Sequence, residues 1–158
     1  MILFDLLRVV HLSAFALLIT SVAGGWVLQR QLATTGDHRS QALLANAIRP
    51  LGLLSPAAIT LLLLSGIGQM VQFGLGPFSE AWLLLKLLFF LAAATLGIIG
   101  GPLSGARTAL MAKGAESPLM PDDERRLRAI GARLQVFLVM QSLLVFCILV
   151  LSIIKPGR

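Results

Sequence analysis

A single cysteine, two histidines and a charged fraction of only 13% are what this sequence has least of. Cys147 stands alone inside the last apolar run, which excludes an intramolecular disulfide and makes a small packing residue its simplest role. Zinc and copper cages need several protein donors, and one of the two histidines, His38, belongs to a polar connection. A metal site of protein ligands alone is therefore not expected. The apolar runs also lack a glycine-rich phosphate loop, a nucleophile triad and paired carboxylates, so hydrolase and NTPase chemistry has no parts to work with.

What is present is apolar. Hydrophobic residues make up 57% of the 158, and the mean hydropathy is +0.90, which is the composition of a membrane protein. A net charge of +6 would suit nucleic acid if Lys and Arg shared one exposed face, but here they lie between long apolar runs. The expected partner is the lipid bilayer, and the charge reads as a topology signal.

A helix needs roughly 20 residues to cross about 30 Å of hydrocarbon. Runs of that length predict helices over about 2–28, 50–73, 80–100 and 123–154, the last with its apolar part from Leu127. The fold class is all-α: a polytopic, antiparallel bundle of four transmembrane helices forming one domain over 1–158. Ser21, Val22 and Ala23 resemble a signal cleavage site. Asp5 and Arg8 near the start, and an apolar run too long for a signal core, predict an uncleaved first span.

The connections supply the remaining punctuation. Thr34 to Arg39 carries turn chemistry, and Gly74 to Pro77 forms a short turn with Ser79 available as an N-cap and Glu80 for the first turn of helix three. Gly100, Gly101 and Pro102 open what the sequence makes the longest connection, before Asp122, Asp123 and Glu124 start helix four, which Lys155, Pro156 and Gly157 close. Arg30, Arg39, Arg49, Arg107, Lys113, Arg125, Arg126, Arg128 and Arg133 lie on one side, against Arg8, Lys155 and Arg158 on the other. By the positive-inside rule both termini are non-cytoplasmic, in a bacterial inner membrane. Two stripes mark close helix contact: Ser55, Ile59, Leu62, Gly66 and Gln69 on helix two, and Phe90, Ala93, Gly97 and Gly100 on helix three.

Ionisable side chains inside a span cost about 2.5–3.5 kcal/mol near its centre, so each needs a reason. His11 lies roughly 13 Å into helix one and Lys86 roughly 9 Å into helix three, measured from the same membrane face. At similar depth helix two offers Ser65 and Gln69, and helix four offers Cys147. His11 is a candidate metal ligand to haem iron or a proton relay; alternatively it makes an interhelical hydrogen bond. Lys86 is a candidate for binding a carboxylate in a dry pocket; alternatively it snorkels to the interface. Trp82, one turn before Lys86, and Trp26 read as interfacial anchors, and Asp5 with Arg8 as an ion pair on the first turns. The arginines of 125–133 suit headgroups or a cytoplasmic partner.

Leu-Leu-Arg-Val-Val-His (6–11), Leu-Ser-Gly-Ile-Gly (64–68), Ala-Trp-Leu-Leu-Leu-Lys-Leu-Leu (81–88) and the closing Lys-Pro-Gly (155–157) together resemble an uncharacterised group of bacterial integral membrane proteins. That group is similar to the HemJ-type protoporphyrinogen oxidases and the CopD copper-resistance proteins. Trp82-x-x-x-Lys86 resembles a HemJ-type segment, in which a helix-one histidine is implicated in haem b binding. The resemblance implies a haem b or porphyrin site with His11 as ligand and Lys86, of the Trp82-x-x-x-Lys86 segment, as its partner; Gln69, by its depth on helix two, is a further candidate beside it. After the lysine the HemJ pattern continues with Tyr and His, where this chain has Phe89, Phe90 and Leu91, and it has no tyrosine. The alternative is a non-enzymatic membrane subunit, in a homo-oligomer or membrane complex, or a small-molecule or ion permeation protein without cofactor. Copper handling ranks last, because Met70, Met140 and Cys147 form no thioether cluster in sequence.

Overall fold

The computed structural model describes residues 2–74, 76 and 80–154, with the side chains of all of these except 48, 49 and 51–53. Among them the chain forms four helices and no strand: α1 (Ile2–Thr34), α2 (His38–Gln72), α3 (Ala81–Glu116) and α4 (Pro121–Ile154). Each contains a stretch long and apolar enough to cross a membrane, which in α2 is Leu54–Gln72. The helices pack in a ring, α1 on α2, α2 on α3, α3 on α4, with a narrower closure of α4 on α1. The diagonal pairs make no close backbone approach among the described residues.

All four helices are longer than the apolar runs. Helices of 33 to 36 residues extend for about 50 Å, some 20 Å beyond the hydrocarbon. Helix one runs on to Thr34, helix two begins at His38 instead of Pro50, and helix three continues past Gly100, Gly101 and Pro102 to Glu116. Pro50, Pro56 and Pro102 therefore lie inside helices. An interior proline removes one hydrogen bond and crowds the preceding turn, and neighbouring helices make that tolerable in a bundle. The third connection shrinks to 117–120 and the longest is 73–80, which reverses the sequence expectation. Pro121 occupies the first position of α4, where its missing N–H matters least.

Packing explains why the extensions stay helical. Met111, Leu32 and Ala42 form a buried cluster toward the basic helix ends, flanked by Leu28, Leu44, Ala45 and Leu127. Lys113 Nζ donates to Asp123 Oδ2 at 2.6 Å across the short α3–α4 turn. The α1–α2 turn is fastened by Gln41 Nε2, which donates to the carbonyls of Thr35 at 2.8 Å and Leu32 at 3.3 Å. Asp37 caps α2 by accepting the Ser40 N–H at 2.7 Å. At the other end of α2, Gly74 takes φ +64° just past the C-cap, a left-handed turn that glycine adopts without strain. Glu80 caps α3 without a side-chain bond; Ser79, Lys155, Pro156 and Gly157 lie outside the described residues.

The Ser40 backbone N–H holds the Asp37 carboxyl below the usual carboxylate range. A depressed folded-state value means that the cap contributes stability above the unfolded value and loses it as pH falls through the folded one. We expect the Asp37 carboxyl carbon to titrate below the ordinary 3.8. In Asp37→Ala, the amides at the start of α2 should exchange faster with solvent than in wild type at neutral pH. Unchanged exchange there would remove the cap from the account.

A second core lies within the spans: Ala14, Leu18, Ala58, Leu62 and Val145 are buried, with Phe15, Leu17, Ile59 and Phe90 packed around them. The two small-residue stripes meet their neighbours here. Ser55 Oγ lies 2.6 Å from Ser21 Oγ; a Cβ on Gly97 would meet Ile59 at 3.9 Å, and one on Gly100 would meet Phe137 at 3.8 Å. The stripe of helix two thus meets α1 at Ser55 and α3 at Ile59, while the stripe of helix three is divided between α2 and α4.

Candidate functional site

His11 stands on α1 about one turn from Ala14, and Ser65 on α2 about one turn from Leu62, so both border the apolar core on the side away from the basic helix ends. Phe90 in that core is one turn from Lys86 on α3. These spacings put His11, Ser65 and Lys86 in one layer. The next turn along the same helices carries Leu7, Gln69 and Trp82.

The imidazole has a defined partner. His11 Nδ1 lies 2.9 Å from Ser65 Oγ. Ser65, only 2% exposed, donates its single hydroxyl proton to the Leu61 carbonyl of its own helix, with the Leu62 carbonyl farther away at 3.3 Å. With the hydroxyl proton placed on the Leu61 carbonyl, Ser65 Oγ accepts from His11, and in that assignment the ring proton sits on Nδ1. Nε2 then carries the lone pair. The ring packs on Gly66, where a Cβ would lie in ordinary contact with His11 Cε1 at 3.6 Å.

The other expected residues fall around this pair. Lys86 is half-buried on α3, whose backbone does not meet that of α1. Gln69 Nε2 reaches the Leu7 carbonyl of α1 at 3.5 Å, a long bond. Gly68 lets Leu7 approach, since a Cβ would sit 3.1 Å from its methyl groups. Cys147 is half-buried two residues from Val145 of the core. Among the described residues no three His, Cys, Asp or Glu side chains come together to hold a metal ion.

Two expectations are corrected. Trp82 is 8% exposed and buried in the bundle, so it is not an interfacial anchor. Trp26, 41% exposed, keeps an outward face but donates its Nε1–H to Ser142 Oγ at 3.0 Å. Asp5 and Arg8 form no ion pair among the described residues; the Arg8 guanidinium lies 5.4 Å from the centroid of the Phe4 ring, which meets Phe73 edge-on at 5.1 Å. A ring face one turn away is an electrostatic partner that charge spacing alone does not reveal.

Sequence reasoning noted Ser65 only as polar at the right depth and Gly66 only as small. Their roles depend on which face of α2 meets α1. The signal was Gly66 in the stripe of helix two, next in sequence to Ser65.

The model of a family described as "Predicted integral membrane protein (DUF2269)" matches residues 5–156. The chain belongs to that family. The match takes in nearly the whole of α1 and all of α2, α3 and α4, so the His11 layer and the basic helix ends both lie within the DUF2269 region. Membership puts the four apolar spans in contact with a bilayer. Lipid is then what covers outward residues such as Ile98 and Ile153, 74% and 73% exposed. No curated protein and no solved structure matches the chain.

Proposed function

We propose that this membrane protein binds haem b, or a related porphyrin, at the His11 layer and serves in electron transfer or porphyrin handling. The observation that supports it is the Ser65 bond to His11 Nδ1, which fixes the ring and leaves Nε2 as a ligand nitrogen. Axial histidines are held in this way, with the second ring nitrogen donating to a fixed acceptor. The donor set fits the group. His11 would hold the iron, Lys86 would pair with a propionate, and Trp82 and Gln69 would supply a ring face and an amide beside the macrocycle. When bound, the iron would supply one-electron exchange; the chain's own part is to orient His11 through Ser65 and to keep the site dry beside Phe90 and Leu62. The basic residues gather at the opposite helix ends, which the positive-inside rule assigns to the cytoplasm of a bacterial inner membrane with both termini outside it.

The same hydrogen bond favours a second reading, because it joins α1 to α2 whether or not Nε2 has a ligand. In that case the protein is a non-enzymatic membrane subunit, part of a homo-oligomer or membrane complex, or a small-molecule or ion permeation protein without cofactor. The absorption spectrum of detergent-purified protein from haem-replete cells separates the two. A Soret band with nearly one haem per chain is the expected result; colourless, folded protein would leave the second reading.

A further inference from the structure

The basic end of the bundle holds a cavity of about 470 Å³ whose polar lining includes Arg30, Arg107, Arg128, His38, Gln29 and Gln41 and contains no Asp or Glu. That volume is within the range of small-molecule sites. Arg107 is its most constrained member. Its NH1 donates to Gln29 Oε1 at 2.7 Å, while its Nε is buried and has no acceptor among the described residues. The guanidinium packs on the opposite helix at Gly131, where a Cβ would be in ordinary contact with it at 3.7 Å.

The acids of this end do not neutralise it. Among the described residues the ion pairs are Lys113–Asp123 and Arg125–Asp122, and neither involves a cationic lining residue. Three arginines thus line one cavity without a carboxylate; Arg128 Nε donates to the Glu124 carbonyl of its own helix at 3.5 Å, while Arg107 is oriented by a neutral glutamine and holds a buried N–H in reserve. Guanidinium forks match oxyanions that accept two parallel bonds, and three positive charges suit a phosphate better than a single carboxylate. Arg107 follows Ala81 by 26 positions, or roughly 39 Å along α3, past the hydrocarbon and at or beyond headgroup level.

We propose that this cavity binds a phosphate group, with Arg107 as the central contact and Arg30 and Arg128 as its flanking charges. The phosphate belongs either to an anionic phospholipid headgroup or to a soluble phosphorylated compound. This site is separate from the His11 layer and does not depend on it.

Two probes distinguish the sources. Calorimetry with inorganic pyrophosphate, on protein in a neutral detergent, reads a soluble ligand. Native mass spectrometry after reconstitution in phosphatidylglycerol or phosphatidylcholine reads a retained headgroup. Binding of pyrophosphate assigns a soluble source, and selective retention of phosphatidylglycerol assigns a lipid. In either case Arg107→Gln should weaken binding by roughly 30-fold, the loss expected when one partner of a buried charged contact is removed. Arg107→Lys should recover part of it, and Arg133→Gln, outside the cavity, should bind as wild type. Arg128→Gln provides a second variant if Arg107→Gln elutes as misfolded protein. Failure of wild type to bind either probe, or an equal loss in Arg133→Gln, would overturn the proposal.

Discussion

His11→Ala is expected to elute as folded protein and to show no Soret band, because it removes the imidazole proposed to hold the iron. His11→Gly supplied with free imidazole should regain part of the band, which separates loss of a ligand from loss of the fold. Ser65→Ala should act more weakly and in the same direction. It removes the acceptor that orients Nδ1–H, and the loss of such an orienting partner typically weakens binding by about 10- to 100-fold. A Soret band of full intensity in His11→Ala would assign any bound porphyrin elsewhere.

The second large effect concerns the part of α3 after Pro102. If 101–120 were the long loop that the Gly-Gly-Pro signal suggests, proline at position 109 would be harmless. In the structure Ala109 lies within α3, two positions before the buried Met111. Ala109→Pro removes a helical hydrogen bond and crowds the preceding turn, at a cost of about 3 kcal/mol or more. It also tilts the segment that carries Arg107, Met111 and Lys113 away from α1 and α4. Thermal unfolding in detergent should show a lowered midpoint, together with faster proteolysis near 107–120; an unchanged midpoint would restore the loop.

The contrast between those two regions shows what could be read from residues alone. The four spans were legible because lipid imposes one requirement, about 20 apolar residues, that no soluble packing pattern imitates. The depth of His11 and Lys86 was legible for the same reason, since rise per residue converts position into height. The helix ends were not. Pro50 and Gly100-Gly101-Pro102 are local breaking signals, and they were outweighed by contacts distant in sequence, Met111 with Leu32 and Ala42 and Arg107 with Gln29.

Azimuth around each helix was the other hidden quantity. It decides that Trp82 is inside and Trp26 partly outside, that Arg8 meets Phe4 instead of Asp5, and that Ser65 rather than Gln69 faces the His11 imidazole. The cavity at the basic end escaped notice because its arginines were informative first as a topology signal, and only the continued α3 helix brings Arg107 between Gln29 and Gly131.

The claim on which the site rests is that one ring nitrogen of His11 is occupied by Ser65 and the other is open. Nitrogen-15 NMR of the histidine side chains in cofactor-free protein tests this most directly, under alkaline conditions that keep the ring neutral and with His38→Gln to assign the signals. A proton-bearing Nδ1 and a lone-pair Nε2 is the predicted pattern, and Ser65→Ala should shift the Nδ1 resonance. A proton found on Nε2 would contradict it, since that nitrogen could not then serve as a ligand.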